Sequence, residues 1–254
     1  MAVQDATQRF SSRVDNYVRY RPGYPPALLE LLKKECGLTP DSVIADIASG
    51  TGIFTQMLLD NGNRVFGVEP NPEMRRAGEE FLAAYPRFAS VAGSAEATTL
   101  PRRSVDIVTA AQAAHWFDRE RARNEFVRIL KPGGWTILIW NERKTNSTPF
   151  LRDYEQLLMS YGTDYQEVRH ERTTAEIAGF FAPSPFQLRV FSMSQEFDES
   201  ALQGRLLSSS YTPQADHPQY EPMLRELRRI FAVHQANGRV SLQYDTRVFY
   251  GHLE

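Results

Sequence analysis

The chain has 254 residues, 42% of them hydrophobic and 24% charged, with a formal net charge of −2 at neutral pH, the balance of an ordinary globular protein long enough to bury one large core. That charge gives no electrostatic pull on nucleic acid, no apolar run approaches a membrane span, and residues 1–10 lack the apolar centre of a signal peptide, so a cytoplasmic protein without nucleic-acid or membrane partners is expected. The single cysteine, Cys36, excludes an intramolecular disulfide and any thiolate cluster.

The first predicted elements are two helical pieces, up to about Leu38, around the segment YVRYRPGYPP, Tyr17 to Pro26. Pro22, Pro25 and Pro26 suit a fixed corner; Tyr17, Tyr20, Arg21 and Tyr24 either pack that corner or cover a site beside it. Cys36 follows Leu28 and Leu32 at four-residue spacing, which puts a buried thiol on the apolar face of a helix starting near Pro26. Val43, Ile44 and Ile47 then read as a buried parallel strand, and a helix starts at Ile53. The turn between them carries Asp46, Gly50 and Gly52; glycine lets backbone approach a ligand, and the helix offers unpaired N–H groups.

A second apolar strand in VFGVEPNPEM ends in Glu69, whose carboxylate suits a ribose diol. Strand and helix patterns alternate through Trp140, which predicts a doubly wound parallel sheet with its ligand at the carboxyl ends of the strands. Between Thr145 and Pro185 the pattern turns helical, with Leu151, Leu157, Leu158, Phe180 and Phe181 as core contacts of an inserted cap. Phe186, Leu188 and Val190 alternate as a half-exposed strand, and Glu221 to Ala236 is a helix with Pro222 in its first turn. From Val240 to Tyr250 the alternation is strict, and one wet face implies an antiparallel partner. The organisation expected is an N-terminal helical lid over residues 1–40, a cofactor-binding core over 41–142, a helical cap insertion over 143–185, and C-terminal strands and helices over 186–254.

Two cofactor readings compete for the first turn. A dinucleotide-binding G-x-G-x-x-G fails at its third glycine, where Thr55 stands. The stretch VIADIASGTG instead resembles the first motif of class I S-adenosylmethionine-dependent methyltransferases. The order of GSAEATTLP, SVDIVTAAQAAHWF and RILKPGGWTILIW is similar to later motifs of that family, of the small-molecule, methyltransferase domain 11-like type.

The resemblance implies an α/β Rossmann-like sheet of seven mostly parallel strands with a reversed C-terminal strand. It implies S-adenosylmethionine as cofactor, with Asp46 near the cationic methionine end and Ala48, Ser49, Gly50, Thr51 and Gly52 forming the turn. Glu69, flanked by Pro70 and Met74, would take the ribose. Ser94, Ala95 and Glu96 would border adenine, and Ala111 and Gln112 the methyl site. The family usually has glycine where this chain has Ala48, and since alanine does not readily take positive φ, a slightly shifted turn is expected.

For His115 two readings stand: a base that takes a proton from the acceptor, or a ring packed beside Trp116 that shapes the pocket. A base matters only when the nucleophile arrives protonated, so a carboxylate acceptor would need none. Tyr17, Tyr20, Arg21, Trp116, Asn141, Arg143, Arg205, Ser209 and Tyr211 stand where the resemblance places substrate-facing groups, and an arginine among them suits a carboxylate held in bidentate fashion. His170, His217, His234 and His252 share no ligand spacing, so no metal is expected; His234, on the apolar face of its helix, reads as a satisfied core or interface histidine. The absence of Pro-Cys and Asp-Pro-Pro-Tyr sequences weighs against a nucleic-acid methylase. Methyl transfer to a small molecule is the function expected, beside a catalytically weak binding protein, a methyltransferase of protein or RNA, and a nicotinamide-dependent dehydrogenase, against which Thr55 counts.

Overall fold

Strands form where apolar residues run together or alternate. The continuous runs give β1 (Val43–Ile47), β2 (Arg64–Val68), β3 (Phe88–Val91), β4 (Val105–Ala111) and β5 (Leu130–Arg143), and the alternating ones give β6 (Phe186–Phe197) and β7 (Val240–Gly251). In the computed structural model, which describes residues 20–165, 177 and 179–253, they make one seven-stranded sheet in the order β3-β2-β1-β4-β5-β7-β6. The first five run parallel, while β7 lies antiparallel between β5 and β6. The doubly wound, mostly parallel sheet with a reversed last strand is therefore the fold. Tyr17 and His170 lie outside the described residues.

The helices that pack on this sheet and build the cap are α1 (Pro26–Glu35), α2 (Ile53–Asp60), α3 (Pro72–Phe81), α4 (Arg119–Ile129), α5 (Pro149–Tyr161), α6 (Glu199–Leu207) and α7 (Tyr220–His234). Pro26 opens α1, where its missing N–H is no loss, and Leu28, Leu31 and Leu32 bury one stripe against the sheet. Asn71 caps α3 by accepting from the N–H groups of Glu73 and Met74, and Asp118 caps α4 by accepting from Arg121 N; each such cap is worth about 1 kcal/mol.

Because strand side chains alternate between faces, β1 feeds both sides of the sheet. Ile44 packs with α1, Phe54 and Leu58 of α2, and Cys36; burial pushes the Cys36 thiol up to about 12, so it stays a neutral apolar filler. Ala45 and Ile47 face the other way, toward Phe126 and Ile129 of α4.

The cap differs from the expectation of one inserted segment. Leu151, Leu157 and Leu158 of α5 bury themselves with Leu202 and Leu206 of α6, Leu224 and Phe231 of α7, and Val240, Leu242 and Tyr244 of β7. Phe180 and Phe181 pack into the sheet core beside Phe126 instead. Helices on both sides of β6 thus build the cap, because α5 alone has too little surface to close a core of its own. His234 is the satisfied interface histidine expected: its Nε2 lies 2.7 Å from Asp153 Oδ2 between α7 and α5. No helix among the described residues is long and apolar enough to cross a membrane.

Candidate functional site

A cavity of about 660 Å³ opens at the carboxyl ends of β1, β4 and β5, where parallel strands leave a crevice. Its wall takes in Asp46 and Ala48 to Thr51 after β1, Ala111 and Gln112 at the end of β4, and Trp140 to Asn146 at the end of β5. Arg21, Tyr24, Tyr165, Arg205, Tyr211 and Tyr244 line the side toward the cap.

Asp46 sits at the floor, 1% exposed. Its Oδ2 accepts from Thr55 Oγ1 at 2.6 Å and its Oδ1 from Thr109 Oγ1 at 2.8 Å, so it joins β1 to α2 and β4. Burial pushes its carboxyl up to about 6, and the two threonine hydroxyls oppose that shift without cancelling it. Neither threonine was singled out by sequence. Thr55 registers there as a missing glycine, although a buried acid at a strand end needs donors, and a threonine nine residues on is one.

The turn after Asp46 is knitted to β2. Ser49 N donates to Val68 O at 3.2 Å and Gly50 N to Glu69 Oε2 at 2.8 Å. Ala48 takes φ 53° and Gly50 φ 58°. The turn is not shifted to spare the alanine; Ala48 enters the left-handed region itself, at about 1–2 kcal/mol, because the bonds on either side fix the path. A Cβ on Gly50 would lie 3.4 Å from Met74 Cε, and one on Gly52 2.6 Å from Leu82 Cδ1. Gly78, one helical turn past Met74, lets α3 approach the Gly50 carbonyl, where a Cβ would come within 3.1 Å; sequence reasoning passed over it.

Glu69 is buried, and its Oε1 accepts from Asn71 N at 2.9 Å. Burial raises its carboxyl, with the Asn71 and Gly50 N–H groups pulling the other way. Each oxygen has one backbone donor and keeps a lone pair. A carboxylate in that state, beside a glycine turn and a helix N-terminus, fits a ribose diol, and the residues present therefore fit S-adenosylmethionine.

Several expected cofactor residues stand off the cavity wall. Gly52, Glu69, Pro70, Met74, Ser94, Ala95 and Glu96 do not line it. Ala95 is packed in the sheet core with Val68 and Leu100. Glu96 Oε1 accepts from Asp118 N at 3.0 Å and so ties the loop after β3 to the one after β4. Gln112 reaches φ 62° as β4 ends, which turns it into the cavity.

Of the substrate candidates, Arg21, Trp116, Asn141, Arg143, Arg205 and Tyr211 line the cavity, whereas Tyr20 and Ser209 stand off its wall. Tyr20 packs against α6, its ring filling the space a Cβ on Gly204 would need, and Arg21 Nη2 donates to Ser208 O at 2.9 Å. Asn141 spends its amide on the wall, donating to Gly23 O at 3.0 Å and accepting from Thr246 Oγ1 at 2.7 Å. Arg143 is held by Glu155 Oε2 at 2.5 Å and Tyr165 Oη at 3.0 Å, with the Tyr154 ring 5.1 Å away. Arg205 and Tyr211 reach the cavity from α6 and the loop after it, the Tyr211 ring lying 4.8 Å from that of Tyr165. Exposed His115 lies between two indoles, 4.4 Å from the Trp116 ring and 4.8 Å from that of Trp140, edge to face.

The family profile described as a methyltransferase domain matches residues 45–138. An uncharacterized methyltransferase of Mycobacterium bovis is 32% identical over 236 residues, covering 92% of this chain and 89% of its own. An uncharacterized methyltransferase-like protein of Schizosaccharomyces pombe is 33% identical over 65% of this chain and 63% of its own. Among solved structures, a protein of Anaeromyxobacter dehalogenans assigned as a type II methyltransferase superposes with a TM-score of 0.66 at 21% identity, over 92% of this chain and 98% of its own. A phosphoethanolamine N-methyltransferase of Haemonchus contortus, solved with phosphomonomethylethanolamine and S-adenosylhomocysteine, superposes at 0.54 with 17% identity, over 98% of this chain and 58% of its own. At these identities the two structures speak for the fold.

Proposed function

The chain belongs to the methyltransferase family, and from that premise we propose that it moves a methyl group from S-adenosylmethionine to a small-molecule acceptor. The observation that carries this reading is the single cavity that joins the first-motif turn to the cap. A volume of about 660 Å³ is of the order expected for a small-molecule pocket, and an enclosed acceptor is held for in-line attack with water kept out.

The donor supplies a methyl group on a sulfonium, which departs as a neutral thioether when an acceptor lone pair takes the carbon. The protein's part is to bind and align. Glu69 accepts the ribose hydroxyls, and the left-handed turn at Ala48 and Gly50 brings backbone to the methionine portion. Asp46 places negative charge beneath that cationic end, although its oxygens are already engaged by Thr55 and Thr109. Trp116 and Trp140, with Tyr24 stacked edge-on against Phe54 at 4.9 Å, supply apolar wall that excludes water. His115 shapes the methyl site by packing between the indoles, and takes a proton where the acceptor brings one.

Calorimetric titration of the purified protein with S-adenosylhomocysteine, and with NADH in parallel, tests the reading. Micromolar affinity for the first alone is expected, followed by transfer of labelled methyl to an acid, phenol or amine. Preference for NADH, or labelling of the chain's protein or RNA partners alone, would overturn it.

A further inference from the structure

Three cations on the cavity wall, Arg143, Lys144 and Arg247, are paired with carboxylates. Arg143 has Glu155 at 2.5 Å, Lys144 has Asp245 at 3.1 Å and Arg247 has Glu142 at 3.0 Å. Arg21 donates to the Ser208 carbonyl and makes further contacts. Arg205, only 6% exposed, has no carboxylate of the described residues within 4.0 Å. Its partners are neutral hydroxyls: Nε donates to Tyr244 Oη at 3.3 Å, and Nη1 to Ser209 Oγ at 3.1 Å and Ser208 Oγ at 3.4 Å.

A buried guanidinium without a counter-charge is costly, because desolvation of the ion is returned only by a partner of opposite sign. Its place in the last turn of α6 returns part of that cost, the helix end carrying about half a negative charge. The rest is unmet, and the side chain points at the cavity. Hydroxyls that hold one edge of the fork leave donors of a planar, bidentate head for an incoming group. A carboxylate carries one negative charge and cancels one cation. A phosphate monoester carries about 1.5 to 2 at neutral pH and overshoots.

We infer that the acceptor is a small organic acid whose carboxylate is gripped by Arg205, with Tyr244, Ser208 and Ser209 as the residues that aim the guanidinium. This rests on the methyltransferase reading and narrows it. Sequence alone treats Arg143 and Arg205 alike; the fold distinguishes them by placing Glu155 beside one and only hydroxyls beside the other.

The test uses the full chain saturated with S-adenosylhomocysteine and a panel of aliphatic and aromatic monocarboxylic acids, the matching primary amides, and the matching phosphate monoesters, read by calorimetry. S-adenosylhomocysteine binding is measured first and alone; its failure sinks the methyltransferase reading, whereas the panel addresses only the anion. At least one acid is expected to bind tenfold or more tightly than its amide. Arg205→Gln should abolish that preference while keeping affinity for S-adenosylhomocysteine, and Arg205→Lys should keep part of it. Acids that bind no better than amides, an exclusive preference for phosphate esters, or an intact acid preference in Arg205→Gln would each overturn the inference. Should Arg205→Gln fail to fold, the acid-against-amide comparison on the unaltered chain still decides it.

Discussion

Glu69 reaches back across the first turn to Gly50: its Oε2 accepts the Gly50 N–H at 2.8 Å while its Oε1 holds the N–H of Asn71. One carboxylate therefore shapes the turn and fixes the entry to α3, and the lone pair left on each oxygen is what suits it to the proposed ribose role.

Glu69→Ala should lose on two counts. Affinity for S-adenosylhomocysteine is expected to fall at least tenfold, about 1.4 kcal/mol, with the charged acceptor gone. Stability should drop as well, by about 1–3 kcal/mol for each buried N–H left without an acceptor. Calorimetry and urea denaturation on one preparation separate the two effects; unchanged affinity in a folded variant would remove Glu69 from the ribose role.

Ala48→Gly should stabilise the protein. The left-handed backbone at φ 53° costs an alanine about 1–2 kcal/mol, and the added freedom of glycine in the unfolded chain takes back about 0.5–1 kcal/mol. A net gain of about 0.5–1 kcal/mol in urea denaturation, with donor affinity kept or improved, is the expected outcome. A loss of stability would show that the methyl group of Ala48 makes packing worth more than the strain.

The floor carboxylate gives a pH signature. Asp46 in the folded state is pushed up to about 6 by burial, above the ordinary value near 4 that it has when unfolded. Its contribution to stability is therefore fully present below about pH 4 and is lost as pH rises through about 6, a change of about 3 kcal/mol. Asp46→Asn removes the titration. The stability of the native chain relative to this variant, followed by denaturation from pH 3.5 to 7.5, should fall across that window. A flat or rising difference would mean that the threonine hydroxyls outweigh burial.

Arg143 and Glu155 test the cap. Both side chains are nearly buried, at 10% and 14% exposure, so Arg143→Met alone should cost about 3–5 kcal/mol by stranding the carboxylate. The double change Arg143→Met with Glu155→Met should recover most of that loss. Equal destabilisation in single and double variants would argue that Tyr165 and the Tyr154 ring, rather than Glu155, are the partners that matter.

What sequence made legible was local. Ile44 and Ile47 announce a buried strand whatever surrounds them, and Asp46 with Gly50 and Gly52 marks the turn at its carboxyl end because glycine supplies the left-handed backbone found there. The left-handed Ala48 was not legible, since a preference of one residue worth about 1–2 kcal/mol yields to bonds that Ser49 and Gly50 make with β2. Ala95 reads as a loop residue beside a base, yet Val68 and Leu100 draw it into the core. The cap was hidden for the same reason: whether Leu151 meets Leu202 and Leu224 depends on how β6 and β7 bring distant helices together.

β7 has a consequence for how this molecule can move. Its first half, with Val240, Leu242 and Tyr244, is buried among the cap helices, and its second half, with Val248, Phe249 and Tyr250, among those that flank the sheet, while β6 pairs with it along its whole length and β5 from Tyr244 to Gly251. A rod clamped in this way cannot serve as a hinge. The cap is unable to swing aside without unzipping the ladder, so cap and sheet should melt in one transition, and amide exchange at Leu242 should be as slow as at Phe249.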